Sequence, residues 1–116
     1  AVMAANLGMT LLAEAVDLLV KQGIPRADAL KGLVALVRGG LEASIDRGLP
    51  GALTGPVTRG DAQTVAAHLE SLETDPELRR AYASASLLTL RQGLRDGRPG
   101  SADASVAIRR ILEEAL

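Results

Sequence analysis

The chain contains no cysteine and almost no aromatic side chains: one tyrosine, no phenylalanine and no tryptophan among 116 residues. The absence of cysteine excludes disulfides and thiolate metal sites, and with a single histidine we expect no zinc site. The near absence of aromatic rings argues against stacking platforms for bases or sugars. Alanine, leucine and valine must therefore form the core, and such a composition favours closely packed helices.

The charges are almost balanced, with 13 basic and 14 acidic side chains and a net charge of −1. We therefore expect no nucleic-acid partner, because such proteins usually carry a strong basic excess. The first twenty or so residues are very apolar, but Glu14 and Asp17 interrupt them, which argues against a membrane span. The chain begins Ala-Val-Met-Ala-Ala, whereas a signal peptide is expected to begin with a cationic region. We therefore expect no membrane partner, and the missing targeting signal, together with the resemblance described below, predicts a cytoplasmic protein.

Apolar residues at helical spacing predict five helices, at about residues 2–22, 26–47, 61–72, 75–95 and 101–116. No period-two alternation appears, so we expect an all-α fold in one domain, residues 1–116. A flexible break is predicted at 96–100, of sequence DGRPG. The first helix carries one narrow polar stripe on an otherwise apolar rod, which predicts burial on most sides. Because helix-like sequence starts at Ala1 without a cap, we expect the chain to be part of a longer protein.

The segment 53–61, of sequence LTGPVTRGD, separates the second and third predicted helices. Asp61 suits a helix N-terminus, because its carboxylate can accept hydrogen bonds from open backbone N–H groups and opposes the helix dipole. Two interpretations remain open. Exposed N–H groups beside Thr54, Thr58 and Arg59 can hold an anion, with the Arg59 guanidinium binding a carboxylate or phosphate. Alternatively, the segment is a plain turn followed by a well-capped helix.

No nucleotide-binding glycine motif, phosphate-binding loop, serine nucleophile elbow or zinc-protease motif occurs in the chain. Two polar residues are candidates for a site. Histidine changes charge near neutral pH when unperturbed, so His68 is either a proton donor or substrate contact in a cleft, or an exposed or hydrogen-bonded helix residue. Asn6 lies on an apolar helix, where a buried carboxamide must be hydrogen-bonded to a ligand or to a neighbouring loop.

The pattern resembles the DUF2520 domain, which forms the C-terminal half of proteins with an N-terminal Rossmann-like dinucleotide-binding half. The resemblance covers nearly the whole chain and is most specific between Thr54 and His68. It is carried by LTGPVTRGD at 53–61, Thr64-Val65, His68-Leu69, Asp75-Pro76-Glu77-Leu78, Tyr82, Ala4-Ala5-Asn6 and Gly23-Ile24-Pro25.

The resemblance implies a fold similar to the C-terminal helical domain of 6-phosphogluconate dehydrogenase and pyrroline-5-carboxylate reductase. In such enzymes this domain makes the dimer and closes over the nicotinamide end of the cofactor. The chain would then be the dimerisation and substrate-cleft domain of an NAD(P)-dependent oxidoreductase acting on a small carbonyl or imine compound. The cleft would be lined by catalytic His68 and Asn6 and by substrate-binding Thr54, Gly55, Pro56 and Arg59.

By the same resemblance NAD(P) belongs to the Rossmann half, so we expect this chain to bind no cofactor and to be inactive alone. The lysine of related hydroxyacid dehydrogenases has no counterpart, because Val2 stands four residues before Asn6. An alternative function is a non-catalytic helical dimerisation or interaction module. The first helix is too apolar for the surface of a small monomer, which predicts a homodimer under either reading.

Overall fold

A computed structural model describes residues 1–116, and all of its regular structure is helical. The all-α prediction is confirmed, and each of the five predicted helices is present. A further single turn, α3, lies between the second and third of them. The likeness to the C-terminal domain of 6-phosphogluconate dehydrogenase stays a prediction. The helices are α1 (Asn6–Lys21), α2 (Arg26–Ala52), α3 (Pro56–Arg59), α4 (Ala62–Ser71), α5 (Pro76–Arg95) and α6 (Ala102–Glu114).

The chain forms two compact units, residues 1–43 and 44–116, and each is described by itself. The prediction of one domain over 1–116 stays a prediction. The boundary falls inside α2, whose regular course is interrupted at Gly48 with φ 77° and ψ 165°. The first part of α2 therefore ends near residue 47, which is the end predicted from the sequence. A short further helical stretch, which contains Pro50, follows in the second unit.

The first unit consists of α1 and the greater part of α2, joined by a turn that contains Gly23 and Pro25. Across this turn Arg26 Nη2 donates a 2.6 Å hydrogen bond to Asp17 Oδ1. Both side chains are more than half exposed, so this ion pair contributes little to stability.

Burial in the first unit differs from the prediction for the first helix. Val16 is the one buried residue of α1, and Ala29 the one buried residue of α2. Apolar side chains along α1 stay about half exposed, among them Leu7, Met9 and Leu11. The sequence pattern shows that the helix is apolar, but Val16 alone among its residues is buried.

The second unit has a continuous apolar core, to which α3, α4, α5 and α6 all contribute. Its largest fully buried side chains are Val65, Leu90, Ile108 and Leu112. The helix starts are locally capped: Asp75 Oδ1 accepts from the backbone N–H of Leu78 at 3.0 Å. Ser101 Oγ likewise caps α6 by accepting from the N–H of Ala104. This core provides the rigid base for the segment that contains most of the candidate residues.

Candidate functional site

Two glycines allow the backbone to turn on either side of α3, in the segment before α4. Gly55 precedes α3 with φ 110°, and Gly60 follows it in the left-handed region with φ 77°. Residues other than glycine rarely adopt positive φ angles of this size. Pro56 occupies the first helical position, where its fixed φ suits a helix start. At the end of α3 the N–H groups of Gly60 and Asp61 donate to the carbonyls of Val57 and Pro56, which is a Schellman motif.

One face of α3 anchors the segment on the core of the second unit. Val57 and Thr58 are both buried, and Thr58 Oγ1 donates to the carbonyl of Gly55 at 3.1 Å. The side chains of Thr54 and Arg59 are exposed, whereas Gly55 and Pro56 are half-buried. The predicted substrate-binding residues therefore share one anchored segment, which presents a hydroxyl and a guanidinium to solvent.

Arg98 holds this segment from a distant part of the chain, and the sequence analysis missed it. Its Nη1 donates to the carbonyl of Leu53 and its Nη2 to the carbonyl of Pro50, both at 2.7 Å. The predicted break at 96–100 thus contains a structural contact. No local signal identifies it, because 45 residues separate Arg98 from Leu53.

Asp61 caps α4 as predicted. Its Oδ1 accepts from the backbone N–H of Thr64 at 3.0 Å, and its Oδ2 accepts from Thr64 Oγ1 at 2.7 Å. These two bonds lower the pKa of the Asp61 carboxyl, and the positive charges of Arg59 and His68 lower it further. An anion at the start of α4 would meet this carboxylate, so the geometry favours the capped turn over an anion site there.

His68 lies in the second turn of α4 and is exposed. Its Nδ1 is 2.8 Å from the hydroxyl oxygen of Tyr82 on α5, and the two rings meet edge to face with centroids 5.7 Å apart. The prediction of an exposed or hydrogen-bonded helix histidine describes this geometry.

Tyr82 is half-buried. Burial raises its pKa, although a hydrogen bond from Ser86 acts in the opposite direction. The phenol therefore keeps its proton at neutral pH. The sequence analysis did not assign Tyr82 a role. The signal that could have drawn attention to it is that Tyr82 is the single residue of the Phe, Trp and Tyr class in the chain.

Asn6 belongs to the other unit, where it is the first residue of α1. It is exposed, and its backbone carbonyl accepts a 3.2 Å hydrogen bond from Thr10 Oγ1. Its role in a cleft with His68 stays a prediction.

The second unit thus brings several predicted residues to one place. Arg59 and His68 both lie close enough to Asp61 for their charges to act on its carboxyl. A guanidinium binds carboxylates through two parallel hydrogen bonds, and an exposed imidazole donates or accepts a hydrogen bond through its free nitrogen. These two exposed side chains suit contacts to a small polar molecule, provided that a negatively charged group on it lies away from the Asp61 carboxylate.

The side chains do not converge in a way that suggests a metal site: no group of three His, Asp or Glu residues is close enough to hold an ion. None of the helices combines the length and hydropathy needed to cross a bilayer. A dinucleotide is usually held where a strand meets a glycine-rich loop and a helix. The chain has neither a strand nor such a loop.

Comparison with curated proteins and with solved structures gives no match. A family model does match: the domain of unknown function DUF2520 aligns with residues 1–89. The matched range runs from α1 into α5 and includes every predicted site residue and Tyr82. Since 89 of the 116 residues are matched, the chain belongs to the DUF2520 family.

Proposed function

We propose that the chain is the dimerisation and substrate-cleft domain of an NAD(P)-dependent oxidoreductase acting on a small carbonyl or imine compound. The observation that carries the proposal is that Arg59 and His68 are both exposed on the second unit, where the charge of each lowers the pKa of the Asp61 carboxyl. Membership of the DUF2520 family supports it through the resemblance to helical domains that follow a Rossmann-like half.

Each predicted residue has a role consistent with its chemistry. Arg59 binds a carboxylate of the substrate, because its guanidinium is exposed and planar. The exposed hydroxyl of Thr54 offers a hydrogen bond beside it, and Gly55 with Pro56 fixes the course of the backbone. His68 contacts the carbonyl oxygen or imine nitrogen through the ring nitrogen that Tyr82 does not occupy. For Asn6 the proposed role rests on the resemblance alone.

The cofactor is the part of the proposal that this chain does not supply. We expect no dinucleotide site in this chain, and we propose that NAD(P) is bound by a Rossmann-like domain of the same cytoplasmic protein. We expect the isolated chain to bind neither NADH nor NADPH.

The reading frame upstream of the codon for Ala1 gives the first test. An in-frame strand, a Gly-x-Gly-x-x-Gly loop and a helix would support the proposal. The complete product is then tested for binding of NADPH and NADH by nicotinamide fluorescence, and for their oxidation with a panel of small 2-keto acids and cyclic imines. A start codon directly before Ala1, or a complete product that binds neither nucleotide, would contradict it.

A second candidate function, a non-catalytic dimerisation module, is favoured by the surface of the first unit. Its 43 residues bury only Val16 and Ala29, whereas units this small usually need another chain or a cross-link to be stable. We propose that a second copy of the chain covers this surface. Its exposed apolar side chains include Leu7, Met9, Leu11, Leu30, Leu36 and Val37.

Light scattering on the purified chain tests this candidate. The chain has a mass of 12.0 kDa, so a dimer scatters as a particle of about twice that mass. Leu36→Glu, at a position that is 73% exposed, should yield the monomer, whereas Gln92→Glu on exposed α5 surface should leave the mass unchanged. A wild-type chain that is monomeric at millimolar concentration would refute dimerisation.

A further inference from the structure

The contact between His68 and Tyr82 constrains the histidine more than an exposed helix position requires. The phenol oxygen of Tyr82 lies 2.8 Å from Nδ1 of His68, so Nδ1 already has a hydrogen-bond partner. The Tyr82 hydroxyl does not contact the other ring nitrogen, Nε2. The perpendicular packing of the rings also limits rotation of the imidazole. The proton position of a neutral histidine is set by the hydrogen bond that one of its two nitrogens makes.

The direction of the hydrogen bond follows from the state of the phenol. Tyr82 keeps its proton at neutral pH, because burial raises the pKa of its phenol. The phenolic proton is therefore available to Nδ1, which accepts it as a lone-pair nitrogen.

We propose that Tyr82 is a positioning residue: its hydroxyl donates to Nδ1 of His68 and thereby fixes the Nε2–H form of the neutral imidazole. His68 then presents an N–H donor, and the group that faces it is an acceptor oxygen such as a carbonyl or carboxylate. This second statement rests on the function proposed above. The first concerns two residues of the chain alone and has its own readout.

The chain has one histidine and one tyrosine, so the imidazole resonances can be assigned without ambiguity. The ¹⁵N resonances of the His68 ring are recorded at about pH 9, where an ordinary imidazole is neutral. In the wild-type chain we expect Nδ1 to show the shift of an unprotonated nitrogen and Nε2 that of a protonated one. In Tyr82→Phe, which keeps the ring contact but removes the hydroxyl, the two shifts should move toward each other.

Equal shifts in the wild-type chain and in Tyr82→Phe would overturn the positioning role, and so would a proton on Nδ1 in the wild-type chain. Circular dichroism of both proteins verifies that the helices are retained. Ser71→Ala is the matched control, because its hydroxyl bonds the backbone carbonyl of His68 and leaves the ring untouched. It should leave both ring shifts unchanged.

The ligand statement is tested in the complete protein. Tyr82→Phe should lower kcat/KM about three- to tenfold, as expected for one hydrogen bond. His68→Gln retains an N–H donor and should lose less kcat/KM than His68→Glu, which has none at neutral pH. Equal losses in both variants would contradict an acceptor oxygen at this position. A complete protein that oxidises no NAD(P)H, with the ring shifts still dependent on Tyr82, would refute the proposed function and leave the positioning role intact.

Discussion

The guanidinium of Arg98 donates a 2.7 Å hydrogen bond to the carbonyl of Leu53, the residue directly before the candidate substrate-binding segment. A second bond to the carbonyl of Pro50 makes Arg98 a two-point clamp on the chain as it enters that segment. Leu53 lies inside the matched family range, whereas Arg98 lies beyond it. The position of the candidate site thus depends on a residue outside the part of the chain that defines the family.

Replacing Arg98 should therefore destabilise the second unit. Arg98→Ala removes two charge-assisted bonds from a half-buried side chain, and we expect a loss of about 2 kcal/mol in the free energy of unfolding. Arg98→Lys should recover only part of this, because an ammonium does not reproduce the planar fork. Urea unfolding followed by circular dichroism measures both. Arg91→Ala, on exposed surface of α5, should change stability by less than about 0.5 kcal/mol. Equal effects at positions 91 and 98 would refute the clamp.

The close approach of α5 to the loop that carries Arg98 makes a second prediction. A Cβ at Gly93 would lie 3.0 Å from the carbonyl oxygen of Arg98 and 3.5 Å from Thr58 Cγ2. Because the nearer atom belongs to the backbone, it cannot move aside easily. Gly93→Ala should cost about 1–3 kcal/mol in thermal or urea unfolding.

Gly100→Ala is the matched control, since a Cβ at that position has no neighbour within 4 Å. It should have an effect of no more than about 0.5 kcal/mol. If Gly93→Ala is as stable as the control, the approach between α5 and this loop is looser than the structure shows.

Asp61 should make the free energy of unfolding depend on pH in the acid range. Its pKa is lowered in the folded chain, so its stabilising contribution is present above the pKa of the unfolded chain, about 4. The contribution is lost as the pH falls through the lower, folded value. Asp61→Asn keeps the cap and removes the charge, and its stability should fall less steeply below about pH 4.

The cause of the lowered pKa can be tested separately. The hydroxyl of Thr64 is the largest contributor, and Thr64→Val removes it with little change in shape. The ¹³C carboxyl resonance of Asp61 should titrate at a higher pH in Thr64→Val than in the wild-type chain. An unchanged midpoint would show that the backbone bond and the nearby charges suffice.

Local interactions explain which parts of the fold could be predicted. Asp61, Asp75 and Ser101 each accept from an N–H three residues further on, so the cap and its partner appear together in the sequence. The helices were predictable for the same reason.

Tertiary contacts explain the remainder. His68 and Tyr82 are 14 residues apart, and their hydrogen bond depends on how α4 packs against α5. The exposure of Leu11 on α1 was likewise not predictable. An apolar pattern indicates that a helix face avoids water but not which surface covers it.

The last helix lies outside the matched family range, yet the core of the second unit requires it. Ile108 and Leu112 on α6 are completely buried against residues of α4 and α5, whereas the family match ends at residue 89. Ile108→Ala should lower the free energy of unfolding by about 2–5 kcal/mol, and Ile108→Val by about 0.5–1.5 kcal/mol. Urea unfolding measures both. Val106→Ala, on the exposed side of the same helix, should change it by less than about 0.5 kcal/mol.

A chain shortened to residues 1–100 keeps Arg98 but lacks α6, and it tests the role of this helix separately. Without α6 the apolar side chains of Val65, Leu69 and Leu90 lose the surface that covers them. We expect this chain to lose cooperative unfolding and to bind a hydrophobic dye, although it still contains the whole matched range. Because α3 and α4 both contribute to this core, exposed Arg59 and His68 would lose their fixed positions as well. A shortened chain that unfolds cooperatively at the wild-type urea midpoint would show that α6 merely covers a core that is stable without it.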